Sequence, residues 1–575
     1  PYADVNPRRV MRQLRRIVEP ATAEAGYGYE NAFVMTPEQA WQALNEVEGL
    51  AWVELLYERG LMNNLAAKSN VQAVEDVWNL GYTGTGVAVN HNDSGIDING
   101  VGGVTSFPTG TVTATAGNMS GTDNFHGTHT AGSVAGRAMS IAVPTNTSGC
   151  GDLTTGFTST RGMAYGATLN ANNLFSPGST GKTTVDAMMK WAQDNSSQLS
   201  TNSWGYTNLF TYSAESALAD VAVRDADTTE AGNQALCVVF AAGNSGTSGA
   251  GTVGSPGNGK NVLTVGASHN VRCGSKASPG SFSGNLNGVV DFSGRGPSQG
   301  RIKPDIVATG ANVLSAASDD ASATHPWDQS WTGSNYELCP GTSMACPIVA
   351  GAGAVFYQYY KATQGGAFPS PALAKAALVN GAVNMGGGYR VGASNQSTTG
   401  IYAQGWGRLN LKNSVQGPTG GTIRYVEQGA GLTTGGTNSR TITVNSSTVP
   451  LKITVVWTDP QGSAGSTAPL RNNLDLVVTA PNGTVYRGNK FGTQQADLTW
   501  TNEGWSTANP GASADTSNNV ENVFVQSPAT GTWTIEVRGT NVPTNVTGMT
   551  GQDFAMAWSG NATTGGSCTY PISPT

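Results

Sequence analysis

At 575 residues the chain is longer than one hydrophobic core usually organises, and length alone suggests three or four domains, fewer if one is a large α/β body. Disorder is excluded by the 38% of hydrophobic residues. A net charge of −7 gives no electrostatic case for nucleic acid, and no apolar run approaches the ~18 residues of a membrane span. The 77 glycines and 12% charged residues describe a compact, loop-rich protein of the secreted type, so an extracellular, monomeric protein is expected.

The first segment, residues 1–62, is poor in glycine and rich in helical signal. Helices are expected over 7–18 and 36–47, the second opened by a cap-like Thr36 with Glu38 and Gln39, then an apolar strand over 50–56. The stretch 1–20 is basic and lacks the apolar run of a signal peptide, so an export signal would lie upstream. The six cysteines, at 150, 237, 273, 339, 346 and 568, fit no zinc spacing. Their even count permits disulfides, though Cys237 and Cys346 read equally well as small buried thiols.

From residue 63 strands alternate with helices. Strands are expected over 86–90, 167–174, 200–204, 237–242 and 262–267, and helices over 126–137, 185–194 and 214–225. The 237–242 run has no polar side, as at the centre of a parallel sheet covered on both faces. This predicts a doubly wound, mostly parallel α/β domain over 63–416. Beyond Pro418 helices give way to short strands over 423–425, 441–444, 451–457, 474–479, 520–525 and 532–537, with turn signals such as Asn482-Gly483 between them. An all-β domain over 420–560, a sandwich or jelly roll, and a tail over 561–575 follow.

The stretch Gly341-Thr342-Ser343-Met344-Ala345-Cys346-Pro347 carries the chemistry. Small residues before an apolar run read as a loop entering a buried helix, with Pro347 in its first turn and the Ser343 hydroxyl at its entrance. A serine hydroxyl is a weak nucleophile alone and needs a base and a group to orient the base. His126, at the start of its helix, and Asp93, just after its strand, are the candidates. Taken singly, each has an ordinary structural reading. Their order, Asp then His then Ser, is that of the subtilisins.

Asp93-Ser94-Gly95-Ile96-Asp97, His126-Gly127-Thr128-His129-Thr130-Ala131-Gly132 and Gly341-Thr342-Ser343-Met344-Ala345 together resemble the three signature blocks of the subtilisin-like serine peptidases. The resemblance, over about residues 64–416, implies that Asp93, His126 and Ser343 form the triad, with His129 structural. It implies that Asn244 donates its amide to the oxyanion. Ser203, Trp204 and Gly205 would form one wall of the substrate cleft, and Ala241, Ala242 and Gly243 the other. Residues 420–558 are similar to the C-terminal jelly roll of secreted bacterial alkaline subtilases, in Val456-Trp457-Thr458-Asp459-Pro460, Asn472-Asn473-Leu474-Asp475-Leu476 and Asn518-Asn519-Val520-Glu521-Asn522. That likeness implies a structural calcium, with Asp459, Asp475 and Glu521 as candidate ligands and a hydrogen-bonded turn network as the other reading. Ala51-Trp52-Val53-Glu54-Leu55-Leu56 resembles the latter half of a propeptide. The resemblance implies an α+β prosegment whose tail, 57–64, approaches the cleft as an intramolecular inhibitor and is cut on maturation.

The expected protein is a secreted serine endopeptidase acting on protein or peptide substrates through an acyl-enzyme, with no cofactor in the chemistry. The rival is a non-catalytic surface-binding protein on the same scaffold.

Overall fold

A parallel sheet of seven strands organises the first part of the chain. They are β1 (Ala88–Asp93), β2 (Val112–Ala116), β3 (Thr168–Asn173), β4 (Leu199–Asn202), β5 (Cys237–Ala241), β6 (Leu263–Ser268) and β7 (Ile306–Thr309). In space the order is β2-β3-β1-β4-β5-β6-β7, and every pairing is parallel. The computed structural model describes residues 72–98, 107–119, 125–137, 161–270, 286–318, 336–386, 400–491, 504–508 and 513–564, all within one compact unit. The helices expected over 7–18 and 36–47, the strand over 50–56 and the cleft-spanning stretch 57–64 lie outside the described residues.

Around the sheet run α1 (Val74–Trp78), α2 (Phe125–Ala135), α3 (Val185–Asp194), α4 (Ala214–Arg224), α5 (Thr342–Thr363), α6 (Pro371–Gly381), α7 (Ile401–Gln404) and α8 (Leu411–Gln416). An antiparallel pair, β8 (Val313–Ala316) with β9 (Tyr336–Cys339), delivers the chain to α5. Successive residues of a strand face opposite sides, and β5 uses both. Val238 and Phe240 pack with Met188 of α3 and Ala219 of α4, while Val239 and Ala241 join the cluster that holds Ile348 and Val349 of α5. Helices therefore cover both faces, which is why β5 is apolar throughout.

The chain builds β3 and β2 on one side of β1 and then crosses to β4 on the other. The sheet order thus reverses beside β1, and the crevice at the carboxyl ends of β1 and β4 is where such sheets place their sites. The expected apolar strand over 86–90 needs correcting. The strand β1 reads Ala-Val-Asn-His-Asn-Asp, and its Asn90 and Asn92 enter a buried polar ladder. Asn92 donates to Asn202 Oδ1 at 2.9 Å and accepts from Asn172 Nδ2 at 3.1 Å, while Ser200 donates to Asn90 at 3.0 Å. Because these side chains satisfy one another, the interior of the sheet tolerates them.

After α8 come β10 (Thr422–Leu432), β11 (Thr437–Val444), β12 (Leu451–Val456), β13 (Asn473–Thr479), β14 (Val485–Arg487), β15 (Val520–Val525), β16 (Gly531–Asn541), β17 (Gln552–Gly560) and β18 (Ala562–Thr564). They form two antiparallel sheets, β10-β17-β12-β15 and β14-β13-β16-β11-β18. Trp457, Trp533, Ile453, Leu476 and Ile535 fill a core of this β region. Val456, Phe524 and Ala557 belong instead to the core of the α/β body. Asn380 of α6 reaches into the first sheet, donating to Lys452 O at 3.1 Å and Ala557 O at 3.2 Å. Charge closes the rest of the seam. Lys260 donates to Asp459 with both side chains fully buried, and Arg224 holds Asp553 through two bonds of 2.6 and 3.1 Å.

Candidate active site

The last residue of β1, Asp93, sits at the switch-point crevice with its side chain 1% exposed. Its Oδ1 accepts from the Ser94 N–H and lies 2.7 Å from His126 Nδ1, and its Oδ2 accepts from Thr130 Oγ1 at 3.0 Å. Burial opposes the charge on this carboxyl. The adjoining His126, then His91 and the Ser94 N–H, outweigh burial and hold the group below the usual carboxylate range. The close approach of α2 depends on Gly127, where a Cβ would stand 1.9 Å from the Gly95 carbonyl oxygen. Gly127 N–H donates to Ser94 Oγ and Asp97 N–H to Thr128 Oγ1, so the loop after β1 is tied to the first turn of α2.

The helix that carries Ser343 starts at Thr342, with Gly341 as its N-cap at φ 152°. Pro347 was expected in the first turn and lies in the second. Its missing N–H leaves the Ser343 carbonyl without the bond a helix would supply, and the Ser203 hydroxyl donates to that oxygen at 2.8 Å instead. In return Ser343 Oγ donates to the Ser203 carbonyl at 3.1 Å. The chain just beyond β4 is thereby fastened to the start of α5.

Asn244 follows β5 and presents its Oδ1 to the start of α5, accepting from Thr342 N–H at 3.0 Å and Thr342 Oγ1 at 2.8 Å. That fixes the amide so that Nδ2 remains as a donor at the cavity Asn244 lines. His126, Asn244 and Ser343 share this cavity of about 260 Å³ with Phe125, Phe292, Cys339 and Met344. Sequence reasoning missed these four. Phe125 and Met344 adjoin residues it had chosen, whereas nothing in the local pattern marks Phe292 or Cys339.

Of the residues assigned to the cleft walls, Trp204 packs edge-on against Phe240 with centroids 5.3 Å apart, and Gly205 is exposed. Ala241 and Ala242 are buried. Gly243, at φ 88°, turns the chain towards Asn244 and accepts from Gly294 N–H at 2.8 Å. None of these six lines the cavity described above. His129 is buried in α2 with Nε2 3.0 Å from the Val313 carbonyl oxygen.

Asp459, Asp475 and Glu521 do not fit a calcium site as a set. Asp459 accepts from the Arg471 and Asn472 N–H groups and is neutralised by the Lys260 ammonium, which a cation would have to displace. Glu521 accepts from Leu476 N–H at 2.6 Å, and Asp475 accepts from Asn473 and Thr540. Burial, with Asp515 and Asp475 nearby, pushes the Glu521 carboxyl well up and favours its neutral form. Among the described residues no group of three or more His, Cys, Asp or Glu is placed to hold a metal ion. Cys237 and Cys346 are free, buried thiols, and Cys339 is buried as well. Burial pushes Cys237 up to about 12 and Cys346 to about 11, away from reactivity.

The model of the subtilase family of peptidases matches residues 84–407, and the chain belongs to that family. Among curated relatives, the serine protease/ABC transporter B family protein tagA of Dictyostelium discoideum is 30% identical over 278 residues, covering 44% of this chain and 14% of tagA. The serine protease AprX of Bacillus subtilis is 38% identical over 130 residues, 22% of this chain and 27% of AprX. Subtilisin Savinase of Lederbergia lenta is 31% identical over 296 residues, 50% of this chain and 82% of Savinase. The chain thus spans a small part of the first two and most of the third. Among the described residues no helix is long and apolar enough to cross a membrane.

Proposed function

We propose that the chain is a secreted serine endopeptidase that hydrolyses peptide bonds through Asp93, His126 and Ser343. The observation that carries this reading is convergence. His126, Ser343 and Asn244 line one cavity and the buried Asp93 carboxylate is bonded to His126, although the four residues come from α2, α5, the chain after β5 and β1. In the reaction, Ser343 Oγ attacks the substrate carbonyl while His126 Nε2 accepts its proton. Asp93 holds the other ring nitrogen in its protonated tautomer and stabilises the imidazolium. Asn244 Nδ2 and the Ser343 N–H receive the oxyanion. His126 then protonates the leaving amine, and water hydrolyses the acyl-enzyme by the same steps reversed. Side chains supply every step, so no cofactor is needed.

Substrate would lie extended along residues 203–205 and 241–243, where backbone pairing gives affinity and side-chain pockets give preference. The two antiparallel sheets after residue 420 are read as a jelly roll acting as a rigid support for the α/β body, and the protein as a monomer. Residues 1–62 are read as a prosegment whose tail occupies the cleft until it is cut. Incubation with a denatured protein and a peptide library, beside Ser343→Ala, tests the activity. Cleavage by the parent and none by the variant is expected, and equal products from both would refute it. N-terminal sequencing of active protein tests the prosegment. A single N-terminus at Pro1 with full activity would remove that part of the reading.

A further inference from the structure

The carboxylate of Asp93 has two oxygens, and the proposed mechanism uses one. The other faces a pair of side chains that the subtilase signature blocks leave without a role. His91 lies two residues before Asp93 on β1 and therefore on the same face of the strand. Thr130 lies four residues after His126 on α2, one turn further on and on the same face of the helix. Strand and helix thus interlock as two pairs, with Asp93 facing His126 at one end and Thr130 at the other.

The distances define a chain of bonds. Thr130 Oγ1 is 3.0 Å from Asp93 Oδ2 and 2.9 Å from His91 Nε2. Its hydroxyl also stands 3.1 Å from the His126 carbonyl and 3.2 Å from that of Gly127. One hydroxyl carries one proton. Among these acceptors the ionised carboxylate is the strongest, since bonds to charged acceptors are roughly twice as strong as neutral ones. With that proton given to Asp93, the Thr130 oxygen can only accept from His91, which fixes His91 as the Nε2–H tautomer. His91 is 1% exposed and Thr130 fully buried, so no solvent competes for either bond. The titratable groups facing His91 are Asp93 and His126, and burial moves the His91 imidazole down to about 4, so it stays neutral across the working range.

We propose that His91 and Thr130 are positioning residues for the reaction, forming a relay from His91 Nε2–H through the Thr130 hydroxyl to Asp93 Oδ2 that clamps the carboxylate with its other oxygen aimed at His126. A carboxylate held at one oxygen can rotate about its Cβ–Cγ bond, and rotation would spoil the bond that keeps His126 in its working tautomer. The relay stops that rotation and draws some charge off the carboxylate. The proposal rests on the triad reading above and deepens it.

The test uses the full-length protein. In the parent, ¹⁵N NMR of the His91 ring is expected to show the neutral Nε2–H tautomer from about pH 5 to 9. A neutral Nδ1–H tautomer, or a charged ring at pH 7, overturns the relay whatever the activity. In kinetics, Thr130→Val is expected to lower kcat by about 10- to 100-fold, the size of a lost hydrogen bond to a charged group. KM should change by no more than about twofold, because the hydroxyl does not touch substrate. The acid limb of the profile should move to higher pH, since the carboxylate regains charge and favours the imidazolium. Thr130→Ser should restore most of kcat. His91→Val should act in the same direction and add nothing to Thr130→Val, because it works only through that hydroxyl. Folded single variants with kcat within about twofold of an active parent, or losses that multiply in the double variant, would refute the relay while leaving the triad intact. A parent that is itself inactive, with Ser343 unreactive, would instead refute the triad and the relay with it.

Discussion

Two carboxylates are buried to the same degree in this molecule, and the proposed mechanism gives them opposite work. Asp93 in the crevice and Asp459 at the seam are each 1% exposed or less, and each has a basic partner. The partner of Asp93 is His126, whose side chain is 28% exposed and lines a cavity. The partner of Asp459 is Lys260, fully buried, on a seam that holds the β region to the α/β body. Burial prevails at Asp459, whose carboxyl lies above the usual range although Lys260 opposes that, whereas at Asp93 the neighbours prevail. A buried ion pair becomes reactive when one member keeps a face open to substrate. It becomes structural when both faces are closed.

Variants should separate these two kinds of pair. The largest effect is expected at the nucleophile. Ser343→Ala should remove roughly six orders of magnitude of kcat, the size known for a subtilisin nucleophile, with thermal stability within about 1 °C of the parent. Residual activity above about 1% of the parent would move the nucleophile elsewhere. Asn244→Ala should fold and lose about 10²–10³ in kcat, again a subtilisin magnitude carried across on geometry. A near-normal kcat in that variant would remove the amide from the oxyanion site.

At the seam the expected loss is in stability and not in rate. Lys260→Ala leaves the buried Asp459 without its cation, at a cost of about 3–5 kcal/mol. The urea midpoint should fall accordingly, while kcat/KM of the folded variant stays within about twofold of the parent. A midpoint shift equivalent to under about 1 kcal/mol would mean that the pair is not what holds the seam.

The pH dependences are smaller, and both rise with pH but over different ranges. Activity should fall on the acid side through one ionisation in the imidazole range, about 6–7.5, because the proposed mechanism needs neutral His126 as the base. A flat kcat/KM from about pH 5 to 9 would count against histidine. Stability should also rise, at more alkaline pH. Burial pushes the Lys303 ammonium down from 10.5 to about 7, with Lys375 and Arg301 adding to the effect and Asp305 opposing it. Between those values the unfolded chain binds more protons than the folded one, so stability increases with pH. In Lys303→Met, where Asp305 keeps Lys375 at 2.9 Å, that slope should flatten. An unchanged slope would refute the assignment.

Legibility in the sequence followed the same division. The residues at the cavity, and Asp93 bonded to one of them, were readable because their motifs are local: Asp93 closes a strand, His126 opens a helix, and Ser343 stands beside small residues. Strands whose identity comes from their neighbours were not. β17 reads Gln-Asp-Phe-Ala-Met-Ala-Trp-Ser-Gly, with helix-favouring Ala and Met, and it is extended because β10 and β12 pair with it on both sides. The four-residue β7, Ile-Val-Ala-Thr, is too short to signal itself, and the edge strand β2, Val-Thr-Ala-Thr-Ala, is largely open to solvent. The Asn ladder and the Thr130–His91 contact were hidden for another reason. A buried asparagine or threonine looks like a loop residue until its partner on another strand or helix is known. Pro347 was misplaced by one turn because the oxygen it frees is satisfied by Ser203, far away in the chain.

The central claim is that Ser343 is a nucleophile activated by His126 and Asp93. The most direct test is reaction of the folded, full-length protein with a fluorophosphonate probe, followed by peptide mapping. A single adduct on Ser343 is expected, formed at a rate that falls at acid pH and is strongly reduced in His126→Ala. No adduct on the folded protein, or an adduct on another residue with Ser343 unmodified, would contradict it.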